Sequence, residues 1–95
     1  MAKADGPDFA GKLPPQNLVA EQSVLGSVLL HNEAIDEVAD FLQAAHFYST
    51  HHQTIYAAIL KLHEQGVRGI DAVTLAEELD KRQELEGVGG VRYIL

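Results

Sequence analysis

Apolar positions along the chain recur mostly at helical spacing, and the densest run is Leu18 to Leu30, L-V-A-E-Q-S-V-L-G-S-V-L-L. Leu18, Gln22, Leu25 and Leu29 fall on one line, while Val19, Val24, Val28 and Leu30 spread apolar surface around most of the remaining circumference. A helix apolar on several sides is surrounded by other elements. The pattern therefore predicts a central buried helix over 18–30, with every later segment packed on it. Gly26 lowers helix propensity, and its expected use is close approach by a neighbouring helix. Asn17 is the expected N-cap, Glu21 sits in the first turns where the helix dipole favours an acid, and His31-Asn32 ends the helix.

A second helix is predicted from about Glu33 to Leu42, with Ile35, Val38, Ala39 and Leu42 on one stripe, antiparallel to the first because the connection is short. Phe47-Tyr48 then reads as a hydrophobic plug at the base of a bundle, the alternative being a stacking platform for bases. A third helix, about His51 to Gln65, carries two rows: Ile55, Ile59 and Leu62, and beside them His52, Tyr56, Leu60 and His63. Gly66 is placed to end it. Asp71 caps a fourth helix that turns Val73, Leu75, Ala76 and Leu79 inward, although Thr74-x-x-Glu77 offers a competing capping box. Gly87-Val88-Gly89-Gly90 breaks the chain before Val91-Arg92-Tyr93-Ile94-Leu95, whose apolar pattern stops uncapped, as in a cut through a larger protein. Before Asn17, Met1 to Leu13 mixes Gly, Pro, Lys and Asp without periodicity and reads as a flexible arm, and Pro14-Pro15 favours extended backbone. The expected architecture is all-helical, an orthogonal or antiparallel bundle of about five helices over 14–95.

The chain has 95 residues, 46% of them hydrophobic, which suits one modest core. It contains no Cys, which excludes a disulfide framework and is compatible with a reducing cytoplasm. No apolar run approaches a membrane span, and Met1 to Leu13 lacks the apolar stretch of a signal peptide. A soluble, cytoplasmic protein is expected. The net charge of −7 lies wholly beyond residue 16, where five basic side chains face twelve acidic ones. Nucleic-acid binding relies on Lys and Arg displacing counterions from phosphates, so this balance argues against a grip on DNA.

Candidate chemistry is sparse. His46, His51, His52 and His63 match no zinc spacing, since His63-Glu64 is not followed by a second His at the H-E-x-x-H position. Gly87, Gly89 and Gly90 form neither G-x-G-x-x-G nor a P-loop and read as backbone punctuation. No nucleophile–base pair or paired carboxylates stand out, so no catalytic, cofactor or metal residue is assigned. Asp71–Leu79 with the apolar segment after the glycines is compatible with half of a helix-turn-helix, but Lys81, Arg82 and Arg92 are outnumbered by nearby acids.

Several stretches together resemble one family. L-P-P-Q-N-L-V-A-E-Q-S-V-L-G-S-V-L-L (Leu13 to Leu30), Phe47-Tyr48, His52 with Ile55-Tyr56, Asp71 to Leu79, and L-E-G-V-G-G-V-R-Y-I (Leu85 to Ile94) are similar to the N-terminal domain of bacterial DnaB-type replicative DNA helicases. The resemblance implies a helical head in the N-terminal collar of a hexameric helicase, with self-association, docking of the primase and contact with a helicase loader. ATP and Mg would belong to a separate C-terminal RecA-like domain, so this fragment is not expected to be an enzyme. Leu25, Gly26, Leu29, Phe47, Ile55, Tyr56, Leu75 and Leu79 become scaffold. Gly89, Gly90 and Tyr93 become the joint between head and following hairpin, with Tyr93 the best candidate for coupling to partners and an ordinary core aromatic its alternative. Two departures stand out: Gly66-Val-Arg-Gly-Ile-Asp71 is one residue longer than the family's loop and lacks its Pro, and Gln83 stands where a Gly often ends the fourth helix. Gln disfavours positive φ, which predicts that this helix runs on toward Leu85.

Overall fold

The computed structural model describes residues 17–94; the expected arm over Met1–Leu13 lies outside them. The regular structure of the described residues is all helical, with no strand among them. The elements are α1 (Leu18–Leu30), α2 (Glu33–Val38), a 3-10 turn at Ala44–His46, α3 (Thr50–Glu64), α4 (Ala72–Lys81), a second 3-10 turn at Glu86–Val88, and α5 (Gly90–Ile94).

Side chains start the three longer helices by capturing the backbone N–H groups that a first turn leaves without partners. The Asn17 side chain accepts from the Ala20 N–H at 2.9 Å, Ser49 Oγ from the His52 N–H at 3.3 Å, and Asp71 Oδ1 from the Thr74 N–H at 2.9 Å. The last of these decides between Asp71 and Thr74 as the start of α4. The same bond from the Thr74 N–H holds the Asp71 carboxyl below its ordinary 3.8.

Two helices end in the same way. Gly66, at φ +82°, donates to the His63 carbonyl, and Val67 donates back to Leu62 at 3.1 Å. Gln83 adopts φ +61° and does the same for α4: its N–H reaches the Asp80 carbonyl at 3.0 Å and that of Glu84 reaches Leu79 at 2.8 Å. The helix therefore stops at Lys81 and does not run on toward Leu85. Satisfying two terminal carbonyls outweighs the modest cost of a left-handed Gln.

α2 is also shorter than the periodicity implied. Phe41 bonds to the Val38 carbonyl at 3.1 Å, a tightened turn that ends α2 at Val38 and drops Leu42 into the core at 1% exposure. Three further expectations are corrected. Phe47 is buried but Tyr48 faces solvent, so the aromatic pair is not a joint plug. Val73 is exposed, because residues two apart on a helix point to different sides and Leu75 and Leu79 take the inward face. Gly26 receives no close neighbour: a Cβ there would meet nothing within 4 Å.

The largest correction concerns the centre. α3, not α1, is the hub, packing against both 3-10 turns, α4 and α1, and burying His52, Ile55, Tyr56, Ala58, Ile59 and Leu62. α1 buries Ala20, Glu21, Val24, Leu25 and Val28 on one side and leaves Leu18, Val19 and Leu30 exposed. Val and Leu on the outer side of α1 made it look surrounded. One helix's composition does not tell an inward face from an unpartnered outward one.

Asn32 ties the bundle's far end together. Its Oδ1 accepts the Ile70 N–H at 2.6 Å, and its Nδ2 donates to the carbonyls of Val28 at 2.9 Å and Ile70 at 3.0 Å. The long 66–71 loop is thereby sewn to the end of α1, with Ile70 buried.

Candidate functional site

The polar interior gathers where α1, the start of α3 and α5 meet. Glu21 and His52 are the buried charged or polar residues of the described core, at 0% and 1% exposure. Glu21 lies one turn before Val24 and Leu25 on the inward face of α1, and His52 lies in the first turn of α3. His52 Nδ1 stands 2.6 Å from Glu21 Oε1. The Tyr48 N–H donates to Glu21 Oε2 at 2.5 Å and the Ser49 N–H to Oε1 at 3.3 Å. A carboxylate accepts only, so a neutral His52 ring is assigned its hydrogen on Nδ1 and a lone pair on Nε2.

That lone pair meets α5. Tyr93 Oη lies 2.5 Å from His52 Nε2 and accepts from Gln22 Nε2 at 3.2 Å. The Tyr93 ring stacks on the imidazole with centroids 5.9 Å apart and planes 26° apart, and it meets His51 edge-on at 6.4 Å. One directed chain of hydrogen bonds thus runs from Gln22 through Tyr93 and His52 to Glu21, which also accepts from the backbone that starts α3. Every member is satisfied, the condition under which a buried polar network rigidifies a fold.

The three joint residues expected from sequence all fall here. Gly89 sits at φ +108°, and a Cβ on it would lie 2.8 Å from Tyr93 Cβ, so only glycine lets α5 fold back with Tyr93 in place. Gly90, at φ +79°, opens α5 with open space around it. Tyr93 is 40% exposed, which sets it apart from an ordinary core aromatic. Beside it opens a cleft of roughly 340 Å³ lined by Gly26, Leu29, Ile55, Leu75, Arg92 and Tyr93, so Gly26 borders open space and not a helix.

Glu21 and His52 were not singled out from sequence. The signal for Glu21 was present: a carboxylate at the first position of an i, i+3, i+4, i+7 row completed by Val24, Leu25 and Val28 is inward-facing by spacing. His52 shared its row with Tyr56, an equally inward neighbour. The other histidines are dispersed, His46 Nδ1 accepting from the Gln43 N–H and His63 pairing with Asp36 at 2.9 Å. Among the described residues, no three His, Asp or Glu side chains converge as a metal site would need. None of their helices is long and apolar enough to cross a membrane. The second helix of a helix-turn-helix would have to be α5, five residues long with Arg92 as its one basic side chain.

Fold and site together define a small all-helical domain whose buried polar chain fastens its last helix to its first. Residues 13–95 match the model of the DnaB-like helicase N-terminal domain. The chain is 49% identical over 87 residues to the replicative DNA helicase DnaB of Mycobacterium leprae (strain TN), covering 92% of this chain and 14% of that protein. It is 44% identical over 85 residues to the DnaB of Rhodothermus marinus, covering 90% of this chain and 9% of the relative. It is also similar to the crystal structure of the N-terminal domain of DnaB helicase from Mycobacterium tuberculosis, with a TM-score of 0.79 and 49% identity over 85% of this chain and 58% of that one. The chain belongs to the family of DnaB-like helicase N-terminal domains. It spans less than a fifth of the length of these two curated relatives.

Proposed function

We propose that this domain is the head of the N-terminal collar of a hexameric replicative helicase, a protein-contact module that supports ring assembly and the docking of primase. The unwinding of DNA, with its ATP and Mg, then resides in a C-terminal domain of the parent protein. The observation that carries this reading is the family match over 13–95, in a chain whose charge opposes phosphate and favours protein contacts. In it, Tyr93, Gly89 and Gly90 form the joint through which the head sets the direction of the segment that follows. The Glu21–His52–Tyr93 chain supports that role, because it fixes α5 to the head by side-chain bonds and not by apolar burial alone.

The test is a titration of this chain, and of a version extended through the following hairpin, against the C-terminal domain of its own organism's primase. Binding by either version supports the reading, and binding by the extended version alone assigns docking to the hairpin. No binding by either removes primase docking from the proposal. Failure of the extended protein to form rings in sedimentation analysis, when joined to its C-terminal domain, removes the collar role.

A further inference from the structure

The face of α1 opposite the Tyr93 cleft carries a second, more apolar groove, shared with α2. Its volume is roughly 380 Å³, and Ala20, Val24, Val28, Val38 and Phe41 line it. Its α1 wall, Ser23 and Ser27, belongs to a single helical stripe that continues into Val19 and Leu30. Those two are 73% and 79% exposed, although both are large and apolar. The groove's mostly apolar lining, with Val19 and Leu30 exposed beyond the two serines at either end, is an interaction surface and not scattered exposure.

Charge says what fits it. From Asn17 through Leu60 there is neither Lys nor Arg, while Glu33, Asp36, Glu37 and Asp40 stand on or beside α2, all exposed, with Glu37 at the groove itself. We propose that the α1/α2 groove docks an amphipathic helix of a partner protein, apolar along one stripe and flanked by Lys and Arg. An apolar trough between two packed helices is a place where a third helix docks. A second copy of this chain fits less well, because an isologous contact would bring Glu37 of each copy to the same groove, whose lining carries no Lys, Arg or His. Nucleic acid is repelled by the same carboxylates. The inference does not depend on the collar reading, since the groove lies on the other side of α1 from the joint.

The probe is a fluorescein-labelled peptide of about 18 residues, leucine at i, i+3, i+4 and i+7 and lysine elsewhere, long enough to span five helical turns. Its control has the same composition with the leucines scattered around the helix. The patterned peptide is expected to bind the chain at least about tenfold tighter than the scattered one in fluorescence anisotropy, because only it matches the apolar stripe. The exposed substitutions Ser27→Arg and Glu37→Lys with Asp40→Lys are each expected to weaken it at least about fivefold, while Tyr93→Phe leaves it unchanged. On the unaltered chain, amide NMR shifts should move at Ser23, Ser27, Ala34, Glu37 and Phe41. Equal binding of the two peptides reduces the effect to bulk electrostatics and overturns the proposal, as do shifts centred on Tyr93 and Ile55. A concentration-dependent dimer in sedimentation that Ser27→Arg abolishes would instead give the groove to a second copy.

Discussion

Glu21→Ala removes the acceptor on which the polar interior converges. The carboxylate is fully buried, and its loss leaves the Tyr48 N–H, the Ser49 N–H and His52 Nδ1–H without their partner. An orphaned buried donor costs about 1–3 kcal/mol. The Ser49 bond is long at 3.3 Å and both backbone donors are only part-buried, so His52 counts in full and the other two in part. That gives a loss of roughly 3–5 kcal/mol, the range expected when one member of a buried pair is deleted. At about 0.05–0.15 kcal/mol per residue, a domain of this size has roughly 5–14 kcal/mol in all, so the variant loses between about a fifth and all of its stability. Glu21→Gln keeps an acceptor for His52 but turns an NH2 group toward the Tyr48 N–H, and about half the loss is expected. Urea denaturation followed by circular dichroism measures both, with an unchanged slope confirming that the native state is intact in each. A double-mutant cycle of Glu21→Gln with His52→Phe should return a coupling of at least about 1 kcal/mol. If Glu21→Ala costs less than about 1 kcal/mol, or the cycle shows no coupling, the carboxylate is solvated and the chain of bonds to Tyr93 does not hold α5.

Other expectations follow from single contacts. Tyr56 is fully buried and donates to the Leu42 carbonyl at 2.8 Å, and burial pushes its phenol from 10.0 to about 12. Because the folded value is raised, its contribution is present in full below pH 10.0 and is lost as the pH rises toward about 12. Tyr56→Phe should cost about 1 kcal/mol at neutral pH and remove that alkaline slope, and an ultraviolet phenolate titration should lose a late-ionising component in the variant. Asn32→Ala orphans the Ile70 N–H and releases the 66–71 loop, at a cost of about 2–3 kcal/mol, read as faster hydrogen exchange at Ile70 than global unfolding allows. Gly89→Ala sets a Cβ against Tyr93 at φ +108°, whereas Gly87→Ala meets open space. A loss of about 1–3 kcal/mol is expected for the first alone, and comparable losses in both would refute the packing argument. The Asp71 carboxyl, held below 3.8 by the Thr74 N–H, stabilises the start of α4 above its ordinary range and loses that effect as the pH falls further. Asp71→Asn should flatten the acid limb of the unfolding curve there.

Most helix boundaries were legible because local chemistry sets them. Asn17 and Asp71 each put a short polar side chain just before a periodic run, and Gly66 stands where α3 stops, so caps and pattern agreed there, whereas the Ser49 cap of α3 lies just outside the expected start at His51. The failures were of another kind. Gln83 ends α4 at positive φ because two backbone bonds outweigh its preference, a balance between local terms of similar size. α2 stops at Val38 although Ala39 and Leu42 continue its stripe, because the tightened turn at Phe41 serves the core equally well. The polar site needed a long-range fact: Glu21 and His52 are 31 residues apart, and no local pattern states that a buried acid and a histidine 31 positions on will meet.

The misplaced centre is the most informative of these failures. Leu18, Val19 and Leu30 were counted as evidence that α1 is enclosed, yet they lie on its open side while α3 takes the middle. Apolar side chains on an open helix face cost solubility unless something covers them. Val19 and Leu30 share a helical stripe with Ser23 and Ser27 of the α1/α2 groove, in a span of 44 residues, Asn17 to Leu60, that holds acids and no Lys or Arg. A helix that is apolar on two opposite sides is explained in full only when both have partners. α3 covers one side from within the chain and α2 borders the other, and the groove between α1 and α2 is left to a basic helix from outside it.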